Sequence, residues 1–142
     1  MRANTRFTEA IQILCLIALK KDNMPTSDHI AESVNTNPVV IRRIFKNLKD
    51  AEFIAVKRGV GGSYLLQQPN QITLFDIYCA VENEDKRAIF KFHEGLNSKC
   101  IVGSHIEEVL KDSFTRAQDA MENELRQVTL EDIIDQIEIN KN

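Results

Sequence analysis

Residues 27–66 read SDHIAESVNTNPVVIRRIFKNLKDAEFIAVKRGVGGSYLL, and the division of this stretch into elements decides the fold. Ser27 is placed to cap a two-turn helix whose buried side is Ile30, Ala31 and Val34. Asn35, Thr36 and Asn37 then make a polar turn, and Pro38 follows an Asn cap at a first helical position, where its missing N–H costs nothing. From 38 to about 51, Ile41, Ile44, Phe45 and Leu48 recur at helical spacing and leave Val40, Arg42, Arg43, Lys46, Asn47 and Lys49 on the other faces. The period then changes. Residues 53–56 read as a strand, 57–62 as a basic, glycine-rich turn and 63–66 as the returning strand.

Working outward, Phe7, Ala10, Ile11, Leu14, Ile17 and Ala18 mark a helix of about four turns that ends in the polar run before Pro25. On the other side, Pro69 closes the hairpin and Thr73 opens a helix with Leu74, Ile77, Ala80 and Val81 inward. Residues 83–99 show little period. Between 101 and 128, Ile106, Val109, Leu110, Phe114, Ala117, Met121, Leu125 and Val128 keep a helical period over about seven turns. A helix of that length outruns a 142-residue globule, so its far end is expected to pack against a second copy, with Phe114, Met121 and Leu125 crossing the interface. Thr129 and Asp132 have capping-box spacing for a last helix carrying Leu130, Ile133, Ile134 and Ile137. The expected fold class is mainly α with a small β-hairpin wing. Residues 1–82 would form a winged helix-turn-helix, and 83–142 a linker, a long dimerisation helix and a C-terminal helix.

Composition is consistent with a single folded domain: 43% hydrophobic and 27% charged residues exclude a disordered or fibrous chain. No apolar run is long enough for a membrane span and the N-terminus lacks a signal-peptide pattern, so the chain is expected in the cytoplasm. The formal charge of −3 conceals an asymmetry, because residues 1–66 carry +4 and residues 67–142 carry −7. The basic half is the half with the helix-turn-helix pattern, which makes it a candidate for phosphate binding.

Two helices joined by a short turn, the second amphipathic and basic outside, can place that second helix in the major groove of double-stranded DNA. Thr36, Val39, Val40, Arg42 and Arg43 would stand nearest base edges, where Arg can grip guanine in a bidentate manner and Val can meet a thymine methyl. Lys46 and Lys49 are expected on phosphates. In the wing, Gly59, Gly61 and Gly62 would allow positive φ and a close approach to the sugar-phosphate backbone, with Lys57 and Arg58 as its cations and Arg58 able to enter a minor groove. Arg2 and Arg6 complete the candidate DNA contacts.

The run Arg58, Gly59, Val60, Gly61, Gly62, Ser63, Tyr64, Leu65 resembles the wing of the Rrf2-type winged-helix transcriptional regulators. The match extends to Met1, Arg2, Phe7, Ala10, Ile11 at the start and to Ile30, Ala31, Glu32 before the turn. It continues through Ile72, Thr73, Leu74, Asp76, Ile77 and Val81, Glu82, and ends at Thr129, Leu130, Asp132, Ile133. The resemblance spans nearly the whole chain and implies a homodimeric repressor whose long helix crosses between subunits. Some members hold an iron–sulfur cluster on three closely spaced cysteines. Here Cys100 is alone in that region, as in a YwnA-like subgroup with a single cysteine, so no cofactor is expected. His93, His105 and Glu107 are the nearest other donors, and they are read as solvated surface residues.

Cys100 stands at the expected start of the long helix beside Lys99, and both features favour a thiolate, which makes it the candidate redox residue. Cys15 and Cys79 lie among apolar residues and are expected to be inert. The resemblance, which sets the first helix near the partner's long helix, makes Cys15 the first candidate to pair with an oxidised Cys100. An enzyme such as a thiol peroxidase would need a base beside the nucleophile, and no such motif is present. Two alternatives remain open: an interaction module working through the long helix, and a regulator with a small-molecule or protein effector and an inert Cys100.

Overall fold

The N-terminal apolar period becomes α1 (Arg6–Leu19), which buries Ala10, Ile13, Leu14, Cys15 and Ile17. The computed structural model describes residues 5–21, 23–59, 61–83 and 87–141. After α1 come α2 (Ser27–Val34) and α3 (Pro38–Asp50). The cap of α2 is Thr26, not Ser27: Thr26 has extended backbone angles and its hydroxyl accepts the N–H of His29 at 3.2 Å, which leaves Ser27 as the first helical residue. At the other end Asn35 takes the left-handed conformation, φ 56°, and turns the chain out of α2. Asn37 caps α3 by accepting the N–H of Val39 at 2.8 Å, with Pro38 behind it as expected.

The wing is an antiparallel pair, β1 (Ile54–Val56) and β2 (Ser63–Leu65), in the register Ile54 to Leu65, Ala55 to Tyr64 and Val56 to Ser63. A 3₁₀ turn at Pro69–Gln71, absent from the sequence reading, leads to α4 (Leu74–Val81). The long helix α5 (Ile101–Arg126) has 26 residues, about 39 Å of rise, and α6 (Leu130–Asn140) ends the fold.

One core serves most of these elements. Ile13, Leu14 and Ile17 of α1, Ile30 of α2, Ile41, Ile44 and Leu48 of α3, Ile77 of α4 and Leu130 of α6 are all fully enclosed. Each such aliphatic side chain contributes about 1.5 to 3 kcal/mol by leaving water. The core therefore does not stop at residue 82, because Leu130 and Ile134 come back into it from beyond α5. The return is fixed by backbone: Leu74 N–H donates to Val128 at 2.9 Å and Leu130 N–H to Ile72 at 2.8 Å. Beside these bonds Thr73 pairs with Thr129, and each of the two threonines opens a capping box, with Asp76 and Asp132.

By contrast α5 buries no residue fully and packs within the chain on α4. Its C-terminal end is held by Arg126, whose guanidinium lies 3.9 Å above the ring of Phe75. Among the described residues no helix is long and apolar enough to cross a membrane.

Candidate nucleic-acid interface

Burial of Ile41, Ile44, Phe45 and Leu48 fixes the rotation of α3 and turns Arg42, Arg43, Lys46 and Lys49 outward, all exposed. Val39 is half exposed at the N-terminal end of the helix, while Val40 and Thr36 are partly covered. Arg42 lies along its own helix, with Nε donating to the Pro38 carbonyl at 3.3 Å. Lys46 pairs with Asp50 one turn on at 3.2 Å, an exposed contact that water and salt weaken and that a phosphate can displace. Thus α3 presents its valine and arginine side chains near the helix-turn-helix and its lysines toward the other end.

The wing begins immediately after α3, and its tip carries Lys57 and Arg58, both exposed. Gly59 and Gly61 have φ of 84° and 77°, the left-handed region that lets the tip close. Gly62 does something else. It is buried, its φ is not positive, and it bridges to Thr26 while Ser63 N–H donates to the Pro25 carbonyl at 3.0 Å. A Cβ at this position would meet Met24 Cβ at 2.6 Å and the Met24 carbonyl oxygen at 2.8 Å. Glycine here seats the wing on the loop between α1 and α2. Gly62 therefore does not stand among the residues turned to solvent.

Two more candidates belong to the N-terminal segment. Arg2 lies outside the described residues. Arg6 is 3.9 Å from the carboxylate of Glu82, whose side chain is 1% exposed at the end of α4, so its charge is engaged within the chain. Arg6 and Glu82 are far apart along the chain, so no local sequence pattern links them. Phe114, Met121 and Leu125 are half-buried on the side of α5 shared with Gln118. Phe114 is stacked inside the chain against Phe90 and Phe92, with ring centroids at 5.0 and 5.3 Å. The large apolar residues that α5 leaves uncovered are instead Ile101, Val102 and Val109, 79%, 63% and 68% exposed. Val102 and Val109, with Ile106, Ser113, Ala117 and Ala120, form a stripe at spacings of three and four.

The three thiols occupy distinct environments. Cys15 is buried in the core, and desolvation pushes its thiol up to about 11. That burial closes it to a partner cysteine while the core is intact. Cys79 is half-buried, and Arg87 Nη1 donates to its sulfur at 3.2 Å. Cys100 is the exposed N-cap of α5, and the N–H groups of Gly103 and then Val102 hold its thiol below the ordinary value. Lys99 is not among the causes. A close approach at the helix start explains Gly103, where a Cβ would sit 2.6 Å from the Asn97 carbonyl oxygen.

A family model named Rrf2 and described as an iron-dependent transcriptional regulator matches residues 3–136. YwnA of Bacillus subtilis (strain 168), which bears the name of an HTH-type transcriptional regulator, is 41% identical over 134 residues, covering 94% of this chain and 98% of that one. A crystal structure of a protein described as DNA-binding is 40% identical with a TM-score of 0.73, covering 91% of this chain and 98% of that one. IscR of T. potens, at 20% identity, shares the fold with a TM-score of 0.75 over 100% of this chain and 92% of that one. The iron in the family's description does not fit the donors present. Of three cysteines, one is in the core, one lies under Arg87 and one is at the start of α5, and no group of three or more His, Cys, Asp or Glu among the described residues could hold a metal ion. With its helix-turn-helix, its glycine wing and a match over nearly its whole length, the chain belongs to the Rrf2 family of DNA-binding transcriptional regulators and is not an enzyme.

Proposed function

We propose that the chain is a homodimeric repressor that occupies an operator, with α3 in the major groove and the wing against the neighbouring backbone. The observation that carries this reading is the exposed cationic face of α3, Arg42, Arg43, Lys46 and Lys49, followed directly by Lys57 and Arg58 at the wing tip. Arg42, Arg43, Val39, Val40 and Thr36 are the proposed base-side contacts, and Lys46, Lys49, Lys57, Arg58 and the Gly61 backbone the phosphate-side ones. A dimer supplies two such faces, which on B-DNA must stand about 34 to 36 Å apart. The stripe headed by Val102 and Val109 is the proposed seat of the second copy, since an uncovered apolar row on a long helix is a surface that monomers avoid.

Footprinting and gel retardation on the DNA upstream of the protein's own gene test the reading. Replacing Arg43 by Ala should cost about 1 to 3 kcal/mol at the specific site, and replacing Lys49 should weaken all sequences alike. If about six phosphates are engaged, affinity should fall on the order of a thousandfold between 50 and 200 mM salt. Binding that ignored salt and survived an Arg42, Arg43 and Arg58 triple alanine change would overturn the proposal.

Oxidation of Cys100 is the proposed signal. Its thiolate sulfur attacks the O–O bond of a peroxide, forming a sulfenic acid and releasing hydroxide; a small thiol then gives a mixed disulfide and water. The reading is supported by full exposure at the helix start and by the N–H groups that favour the thiolate. Peroxide should release the operator from the wild type and not from Cys100→Ser, and a reductant should restore binding. Equal behaviour of the two proteins would remove the thiol from the mechanism.

A further inference from the structure

Between residues 87–92 and α5 lies a groove of about 410 Å³, within the usual range for a small-molecule site. Phe90, Phe92 and Phe114 stack along it with ring centroids 5.0 and 5.3 Å apart, and Phe90 keeps half its surface exposed. The groove is built, not a gap left by a loose loop. Gln118 of α5 accepts the N–H of Ile89 at 2.9 Å and donates to the carbonyl of Arg87 at 2.8 Å, and Tyr78 of α4 donates to that same carbonyl at 2.9 Å.

The charge within the groove is arranged unevenly. Lys111 and Asp119 on the rim are exposed to water, whereas Arg87 is half-buried. Among the described residues its Nη1 donates only to a sulfur, Cys79 at 3.2 Å, and its Nε is buried with no hydrogen-bond partner. A guanidinium so placed is under-used as a donor, and a carboxylate is the group its fork suits best. Glu122, also on the lining, lies beyond ion-pair distance of it. From these features we infer that the groove binds a small aromatic carboxylate, its ring against the three phenylalanines and its anion on Arg87, with Lys111 as a second cation.

The site stays open in the dimer proposed above. At about 100° per residue, Lys111 and Gln118 stand about 160° around α5 from Val109 and Val102, so the groove and the stripe occupy opposite sides of the helix. Occupancy would also be felt elsewhere in the fold, because drawing the guanidinium off Cys79 acts on α4 through the residue whose carbonyl Tyr78 and Gln118 both hold.

Cinnamate is the test probe, titrated calorimetrically into the full chain without DNA. The wild type should bind it; Arg87→Gln, which keeps the backbone bonds, and the surface change Phe90→Ser should each weaken binding by about tenfold or more. Lys111→Gln, at an exposed position on the rim, should weaken it less. Phenylethylammonium, with a similar ring and the opposite charge, should not bind. The proposal is overturned if cinnamate gives no heat, if Arg87→Gln binds it like the wild type, or if the cation binds as well as the anion. A change in operator affinity on adding cinnamate is a separate measurement that rests on the DNA reading. Its failure would leave the binding result standing, and failure of cinnamate to bind would leave the DNA reading standing.

Discussion

At Cys15 the thiol is enclosed by the core and held up to about 11, while at Cys100 it faces water at a helix start and is held below its ordinary value. The same functional group should therefore react at two widely separated rates. Timed iodoacetamide labelling read by mass spectrometry should modify Cys100 first, with a rate that rises at lower pH than that of an ordinary thiol, and Cys15 only as the protein unfolds. Cys15 also adds an alkaline limit to stability. Its folded pKa lies above the unfolded 9.0, so its contribution is fully present below pH 9 and is lost as pH rises through about 11. Denaturant midpoints at pH 8 and pH 11 should differ by more in the wild type than in Cys15→Ala, with about 2 to 3 kcal/mol of pH dependence removed by the substitution. An identical pH dependence in the two proteins would show that the core does not hold this thiol neutral.

At the scale of the element, the wing is positioned by what lies beneath it. Gly62 touches Met24, and Ser63 is bonded to Pro25, so the basic tip is carried at a fixed place relative to α3. Gly62→Ala has no room to be accommodated, because one of the two atoms in the way is a backbone oxygen. It should lower operator affinity by about tenfold or more while leaving α1 to α4 folded, with a stability loss of about 1 to 3 kcal/mol. Gly59→Ala would act differently, through a strained φ in open space. If the wing does not contact DNA, Gly62→Ala will change thermal stability and leave the gel shift unaltered. This distinction between glycines was invisible in the sequence, where all three read as turn formers. The elements themselves were legible, because α1, α3, α4 and α6 each carry an apolar period, and α3, α4 and α6 add a cap or a proline at the start. What could not be read were contacts between distant positions. Arg6 on Glu82, Arg126 on Phe75 and Phe114 on Phe90 and Phe92 each join segments whose local patterns make no reference to one another.

For the whole molecule, the difficulty is the helix that the core does not need. α5 leaves its Val102 and Val109 stripe in water, yet turns Phe114, Met121 and Leu125 toward its own chain. Sequence periodicity saw one broad apolar helix and could not divide it into an inner face and an outer one, since both recur every three or four residues. The division gives two substitutions opposite outcomes. Val109→Asp places a charge on the outer stripe, where it meets only water in a single chain, so it should leave helicity and the core intact and convert dimer to monomer in sedimentation at micromolar concentration. With only one recognition helix per particle, operator affinity should fall toward the non-specific level, a loss of about a thousandfold or more. Leu125→Asp instead places its charge on the inner face near the end of α5 that Arg126 holds to Phe75, and it should lower the thermal midpoint before it alters assembly. A Val109→Asp protein that still sediments as a dimer would mean that the second copy sits elsewhere. Monomeric wild type would mean that the stripe is covered by a different partner, and that two half-sites are not read together.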